Sequence, residues 1–155
     1  MKVNIGISQE NSTKIVEILS HYLADSYYLY LKTHNFHWNV TGMYFQPLHK
    51  LFDEQYNELF LSLDNIAERI RSLGEYVPGT TMQLKELTCL KEVKEIPSAP
   101  EMLKMLVQDH EKVICNLRKW LDAIGNTGDC GTEDFLTARL EDHEKTAWML
   151  RSHLE

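Results

Sequence analysis

Apolar and polar positions along the chain fall into four long runs that repeat every three or four residues. The first, from about Ser8 to Asn35, places Leu19, Leu23, Tyr27, Tyr30 and Leu31 on one face, the spacing of an amphipathic helix. Asn39-Val40-Thr41-Gly42 breaks it. The second, from about Tyr44 to Ser72, carries Phe45, Leu48, Phe52, Tyr56, Leu59, Leu63, Ile66, Ile70 and Leu73 in register. Gly74 follows, where a helix C-terminus favours a left-handed residue. From Glu75 to Pro97 the repeat lapses. Pro78-Gly79 marks a turn, Met82 to Leu90 reads as a short helix, and Pro97 closes the stretch. The third run opens on Ser98-Ala99-Pro100-Glu101, a capping-box pattern with Pro in the first turn. It continues through Leu103, Leu106, His110, Val113, Leu117, Leu121 and Ile124 to Gly125. After a polar turn, Asn126 to Gly131, the fourth run keeps Leu136, Leu140, His143, Ala147, Leu150 and Leu154 in step.

Four amphipathic helices joined by short, long and short connections predict an all-α, four-helix bundle. Its single crossover joins the second helix to the third and contains one small extra helix. That is the ferritin-like topology. With 155 residues, a single domain over 1–155 is expected. The tetrapeptide Asp-His-Glu-Lys occurs twice, at Asp109–Lys112 and Asp142–Lys145, but its flanks do not match and it reads as coincidence.

Composition narrows the partners. Sixteen Lys+Arg against 23 Asp+Glu leave a net charge of −7. No Lys/Arg cluster interrupts that balance: Lys2 stands alone near the front, and the chain ends Arg151-Ser152-His153-Leu154-Glu155. Tight nucleic-acid binding needs many phosphate-neutralising cations on one surface, so nucleic acid is at most a weak partner and small cations fit better. No apolar run approaches a membrane span, and the first residues show no secretory leader. The three cysteines, Cys89, Cys115 and Cys130, are dispersed and odd in number, a usage that favours free thiols and a cytoplasmic location.

A second band runs along the second helix. His49, Asp53, Asn57, Phe60, Asp64 and Glu68 also step by three or four, roughly 120° around from the core stripe. The band has no Lys or Arg, and metal-ligating side chains sit at its two ends. Asp64 and Glu68, spaced i, i+4, repel one another in a bare helix; a cation between them would reverse the sign. His49 and Asp64 are 15 residues apart, ~22 Å at helical rise, and cannot ligate one ion within a chain. A two-fold partner solves this, because an isologous contact pairs residue i with j and j with i. The four candidates centre on position 58.5, which puts the dyad near Glu58 and Leu59 with Phe60 packed beside it. A tight loop lets a histidine at the end of the first helix fold back toward His49. By composition, His34 and His37 serve that role equally. Two imidazoles and two carboxylates suit Fe(II), with carboxylate favouring the harder Fe(III); Zn, Mn or Co would also bind. No Glu-x-x-His motif of the usual di-iron bundle is present.

Each residue alone has a plainer reading. A single histidine on a half-apolar face is commonly a hydrogen-bonded structural group. Asp64 and Glu68 alone read as a solvated face, paired with Arg71. Trp38 reads as an interface or core anchor, and Tyr27 and Tyr30 as core. Asp129, Glu133 and Asp134 surround the start of the last helix, where acids complement the helix dipole. Only the joint pattern raises the metal reading above these.

The run His34-Asn35-Phe36-His37-Trp38-Asn39-Val40-Thr41-Gly42 closely resembles the Dps family of miniferritins. So do Leu48-His49, Phe52-Asp53-Glu54-Gln55-Tyr56 and the block Asp64 to Gly74, and the likeness continues to Trp148-Met149-Leu150-Arg151. The resemblance implies a hollow homododecamer that oxidises Fe(II), preferentially with hydrogen peroxide, and stores the Fe(III) mineral inside. It selects His37 over His34, since the family's ligand directly precedes Trp. It implies His37, His49, Asp64 and Glu68 as ferroxidase ligands, with the acids supplied by the two-fold mate. It also implies a second, weaker iron at Asp53, and Trp38 as the aromatic beside the site that takes an electron. Acidic pores at three-fold axes would draw on Asp129, Glu133 and Asp134, with Cys130 standing where another acid is expected. Family members that coat DNA mostly use Lys/Arg-rich tails, absent here. The alternative is a nucleoid-compacting protein with secondary iron binding.

Overall fold

The computed structural model describes residues 3–155; Lys2 lies outside the described residues. The chain forms α1 (Gln9–Asn39), α2 (Phe45–Ser72), α3 (Thr81–Leu87), α4 (Ala99–Gly125) and α5 (Cys130–Arg151), with no strand among the described residues. α1 packs along α2 and α4 along α5, and α1 also touches α3 and α4. This is the expected four-helix bundle with a small helix in its long crossover. No helix among the described residues is long and apolar enough to cross a membrane.

Local chemistry sets the helix ends. Ser8 caps α1 by accepting from the Asn11 N–H at 3.2 Å. α1 runs past the expected end at Asn35, because Phe36 and Val40 are both buried and no Gly or Pro intervenes before Gly42, whose φ is +105°. His37 and Trp38 therefore lie in the last turn of α1, at the helix end where the histidine was expected. The capping box is found at Thr80 and Gln83, ahead of α3. Ser98 makes no side-chain cap bond, so Pro100 in the first turn provides the start signal of α4. α3 ends at Leu87, short of Leu90, because the next residues turn toward Asp25. The Thr88 hydroxyl and the Cys89 N–H both donate to Asp25 Oδ1 at 2.8 Å. α5 stops at Arg151, leaving Leu154 exposed beyond it.

The core fills with Ile15, Leu19, Leu29, Phe52, Leu59, Ile66, Leu106, Val113, Leu117, Leu136 and Leu150. Each such side chain withdrawn from water contributes roughly 1.5–3 kcal/mol. Leu31 and Phe45 lie at its edge and are exposed, although their spacing places them on the apolar stripes. Tyr27 and Tyr30 pack against the core half-buried.

One layer of the core is polar. Arg139 Nε donates to the Tyr22 hydroxyl at 3.1 Å, and that hydroxyl also lies 3.0 Å from His143 Nε2. His143 Nδ1 lies 2.9 Å from His110 Nδ1, so one of these two facing nitrogens donates and the other accepts. Arg139 also reaches Glu58 of α2 through both terminal nitrogens and Asp142 at 3.0 Å. Burial, and then the Arg139 charge, pushes His110 down to about 3. Burial, His110 and Arg139 hold His143 well below its ordinary value. Both rings are neutral.

The repeated tetrapeptide proves to be structural. His110 and His143, one from each copy, meet in the core. Glu111 pairs with Arg151, and Glu144 pairs with Arg118. In each copy the Arg follows the Glu by seven residues, so the α4–α5 hairpin carries a local two-fold relation. Asp109 differs, pairing with buried Lys32 of α1.

Candidate metal centre

His37, in the last turn of α1, and His49, in α2, stack with ring centroids 3.8 Å apart at 18°. Their backbones and rings are tied reciprocally. His37 Nδ1 lies 2.8 Å from the His49 carbonyl, and His49 Nδ1 lies 2.8 Å from the His37 carbonyl. A carbonyl only accepts, so both rings carry a proton on Nδ1, which leaves Nε2 as the nitrogen available to a metal. The His37 carbonyl belongs to the last turn of α1, where helices leave acceptors without intrahelical partners. Two parallel imidazoles in the metal-ligating tautomer result, each oriented by a backbone group.

An aromatic wall surrounds them. Phe45 stacks on His49 at 5.0 Å, and Tyr56 meets His37 edge-on at 5.2 Å. The Tyr56 hydroxyl donates to Asp53 Oδ1 at 2.9 Å. That bond to a carboxylate, followed by burial, raises the Tyr56 phenol above its usual range. His34 faces elsewhere: its ring stacks on Tyr56 at 3.9 Å and lies 4.0 Å from the Trp38 ring. Burial, and then the neighbouring His37, lowers the His34 imidazole, with Asp53 opposing. The structure thus brings His37, not His34, to His49. Trp38 itself is 61% exposed.

Asp64 and Glu68 lie further along α2, both exposed. Among the described residues neither makes an ion pair. Arg71, the cation expected to neutralise them, donates instead to the Glu75 carbonyl at 2.7 Å and covers the Tyr76 ring at 4.6 Å. Among the described residues no three His, Cys, Asp or Glu gather to hold a metal within one chain. The ~22 Å along α2 from His49 to Asp64 keeps the acids of a chain away from its own histidines. Large apolar side chains are exposed along and just before α2: Met43, Tyr44, Phe45, Phe60 and Leu61, more than a solvated helix normally presents.

The acids at the start of α5 separate into two kinds. Asp129 is buried and caps the helix, accepting from the Thr132 N–H at 3.1 Å and from Arg69 at 2.6 and 2.8 Å. Burial alone would raise its carboxyl, but the Thr132 and Arg69 hydrogen bonds together outweigh burial and hold it below its usual range. Glu133 and Asp134 are exposed. Sequence reasoning missed Tyr56 and Phe45 as walls of the site and Arg69 as the partner of Asp129. Tyr56 stands three residues after Asp53, a helical neighbour spacing that carries the signal.

A ferritin-like domain model matches residues 16–155. An uncharacterised low temperature-induced protein of Nostoc sp. is 46% identical, covering 99% of this chain and 87% of the relative. The DNA protection during starvation protein 2 of Bacillus anthracis is 35% identical, covering 91% of this chain and 97% of the relative. Among solved structures, a Dps protein from Vibrio cholerae O1, described as a member of a broad superfamily of ferritin-like diiron-carboxylate proteins, superposes with a TM-score of 0.94. It is 29% identical, covering 100% of this chain and 98% of that one. With the bundle, the crossover helix and the matched length agreeing, the chain belongs to the Dps family of ferritin-like proteins.

Proposed function

We propose that the protein oxidises Fe(II), preferentially with hydrogen peroxide, at sites shared between two-fold-related chains and stores the ferric product inside a hollow dodecamer. The observation that carries this reading is the reciprocal bonding of His37 and His49, which stacks the two rings, engages Nδ1 of each and leaves Nε2 of each as the nitrogen that can take a metal. Asp64 and Glu68 of the two-fold mate complete the donor set, since neither carboxylate makes an ion pair among the described residues of its own chain. The exposed apolar side chains around Phe60 and Tyr44 supply the apolar surface such a contact buries.

Iron is the substrate. Neutral imidazoles admit Fe(II), while carboxylates favour the harder Fe(III), so the mixed set holds the reduced ion and stabilises the oxidised one. Asp53, with one oxygen held by Tyr56 and the other open, binds a second and weaker iron. Each peroxide takes two electrons, one from each of two Fe(II), and leaves as water. Trp38, whose ring lies 4.0 Å from that of His34, gives up an electron in this reading when only one iron is bound. Glu133 and Asp134 are the entry-pore acids this reading keeps; Asp129 is already committed to Arg69 and the α5 cap.

The family is associated with DNA protection, and that term appears in the name of the Bacillus relative. A net charge of −7 opposes tight phosphate binding, so this chain protects by removing iron and peroxide together. The free state of Cys89, Cys115 and Cys130 fits a cytoplasmic location. Anaerobic Fe(II) loading followed by stepwise peroxide tests the reading. It predicts that two Fe(II) disappear per peroxide, with the product retained in the shell and no trapped hydroxyl radical. One Fe(II) per peroxide with radical release would contradict it.

A further inference from the structure

We propose that Cys89 and Cys115 form a peroxide-responsive thiol pair that closes into a disulfide between the crossover and α4. The ferroxidase reading uses neither residue. Both thiols are free and exposed, and both line one groove with Gln108, Glu111, Lys112 and Asn116. On α4 these residues form a single stripe, in which residues 112, 115 and 116 are one-turn neighbours. Cys89 sits against that stripe: Asn116 Nδ2 donates to Cys89 Sγ at 3.4 Å, and Cys115 is the adjoining residue. Disulfides need Cα atoms within roughly 4.4–6.8 Å. The segment that holds Cys89, free of helix from Thr88 to Ser98, carries it against this stripe of α4. Cys130 is elsewhere, opening α5 beside the Arg69–Asp129 pair.

The two thiols are chemically unequal. Cys89 Sγ donates to Asp25 Oδ2 at 3.4 Å. Burial, and then the Asp25 charge, pushes the Cys89 thiol up, so it stays protonated. Cys115 Sγ makes no hydrogen bond among the described residues, and in the proposed sequence it is the thiol that meets peroxide first. Its thiolate attacks one peroxide oxygen, the O–O bond breaks, and a sulfenic acid forms as hydroxide leaves and is protonated to water. Cys89 then passes its proton to Asp25, and its sulfur attacks the Cys115 sulfur. The S–O bond breaks, and the departing hydroxide takes up that proton to leave as a second water. Two thiols lose two electrons in all, and one peroxide becomes two waters. The pair gives the chain a peroxide sink that needs no iron.

The test uses iron-free assembled protein, so its result is independent of the iron-oxidation measurement. After peroxide, free thiols should fall from three to one per chain, and non-reducing peptide mapping should link the Cys89 and Cys115 peptides within one chain. Cys130→Ser should still form the link, whereas Cys89→Ser and Cys115→Ser should each abolish it while assembling normally. Retention of all three thiols, links between chains, or over-oxidation of Cys115 without a link would overturn the proposal.

Discussion

The His37→Ala/His49→Ala protein is expected to assemble at unchanged size yet oxidise Fe(II) with peroxide far more slowly. Removing an outer-shell partner of a metal ligand already costs roughly 10–100-fold, and this variant removes two ligands outright, so the loss should be at least that large. Assembly should survive because neither ring belongs to the buried core and both are partly exposed. A sharper arm is His49→Asn. The amide can reproduce the Nδ1–H bond to the His37 carbonyl but offers nothing at the Nε2 position. Activity lost in His49→Asn is therefore assigned to the lone pair and not to the loop it anchors. An unchanged rate in the double variant would refute the assignment of these rings as ligands.

Acid should destabilise the fold through a different pair of histidines. Folded His110 sits at about 3, whereas an unfolded imidazole titrates near 6.5, roughly. Between those values the unfolded chain binds a proton that the folded chain refuses. Stability is thus complete above the unfolded value and is lost as pH falls toward the folded one. From pH 7 to pH 4.5 His110 alone should cost about 3 kcal/mol, and His143 adds with the same sign. The groups around the pair are Tyr22 from α1, Glu58 from α2, and Arg139 and Asp142 from α5. Arg139 is the cation that makes protonation costly. Urea midpoints across this range should fall steadily in the native sequence and more gently in His110→Phe, which has one titrating ring fewer. A flat profile for the native sequence between pH 6.5 and 4.5 would contradict the neutral buried pair.

The helices and the crossover were readable because apolar periodicity and the Gly74, Pro97 and Gly125 boundaries agree with the packing that forms. The α2 band was readable for a related reason: a helix face without Lys or Arg, bearing His and carboxylates at its ends, is visible in one dimension. Choosing between His34 and His37 was not possible from spacing. The two lie three residues apart on one helix, and only the approach of α2 shows that His49 meets the second while Tyr56 stacks on the first. The end of α1 is hard to see in the sequence because the histidines and asparagines after Thr33 hide the buried Phe36 and Val40 that prolong it. The His110–His143 contact joins residues 33 apart across a helical hairpin, a register that no local pattern encodes. The matching Glu and Arg of each tetrapeptide copy were the available clue. Asp129 looked like a pore acid because composition cannot tell a free carboxylate from one already held by Arg69.

Mixed shells test the central claim, that imidazoles of one chain and carboxylates of its two-fold mate form one site. His37→Ala/His49→Ala chains and Asp64→Asn/Glu68→Gln chains, each inactive alone, would be unfolded together and reassembled at equal ratio. In every mixed two-fold pair one site then recovers intact histidines and intact acids, so about a quarter of all sites should regain peroxide-driven iron oxidation. Recovery near that level is the predicted result; mixed shells as inactive as the two parents would contradict the shared site.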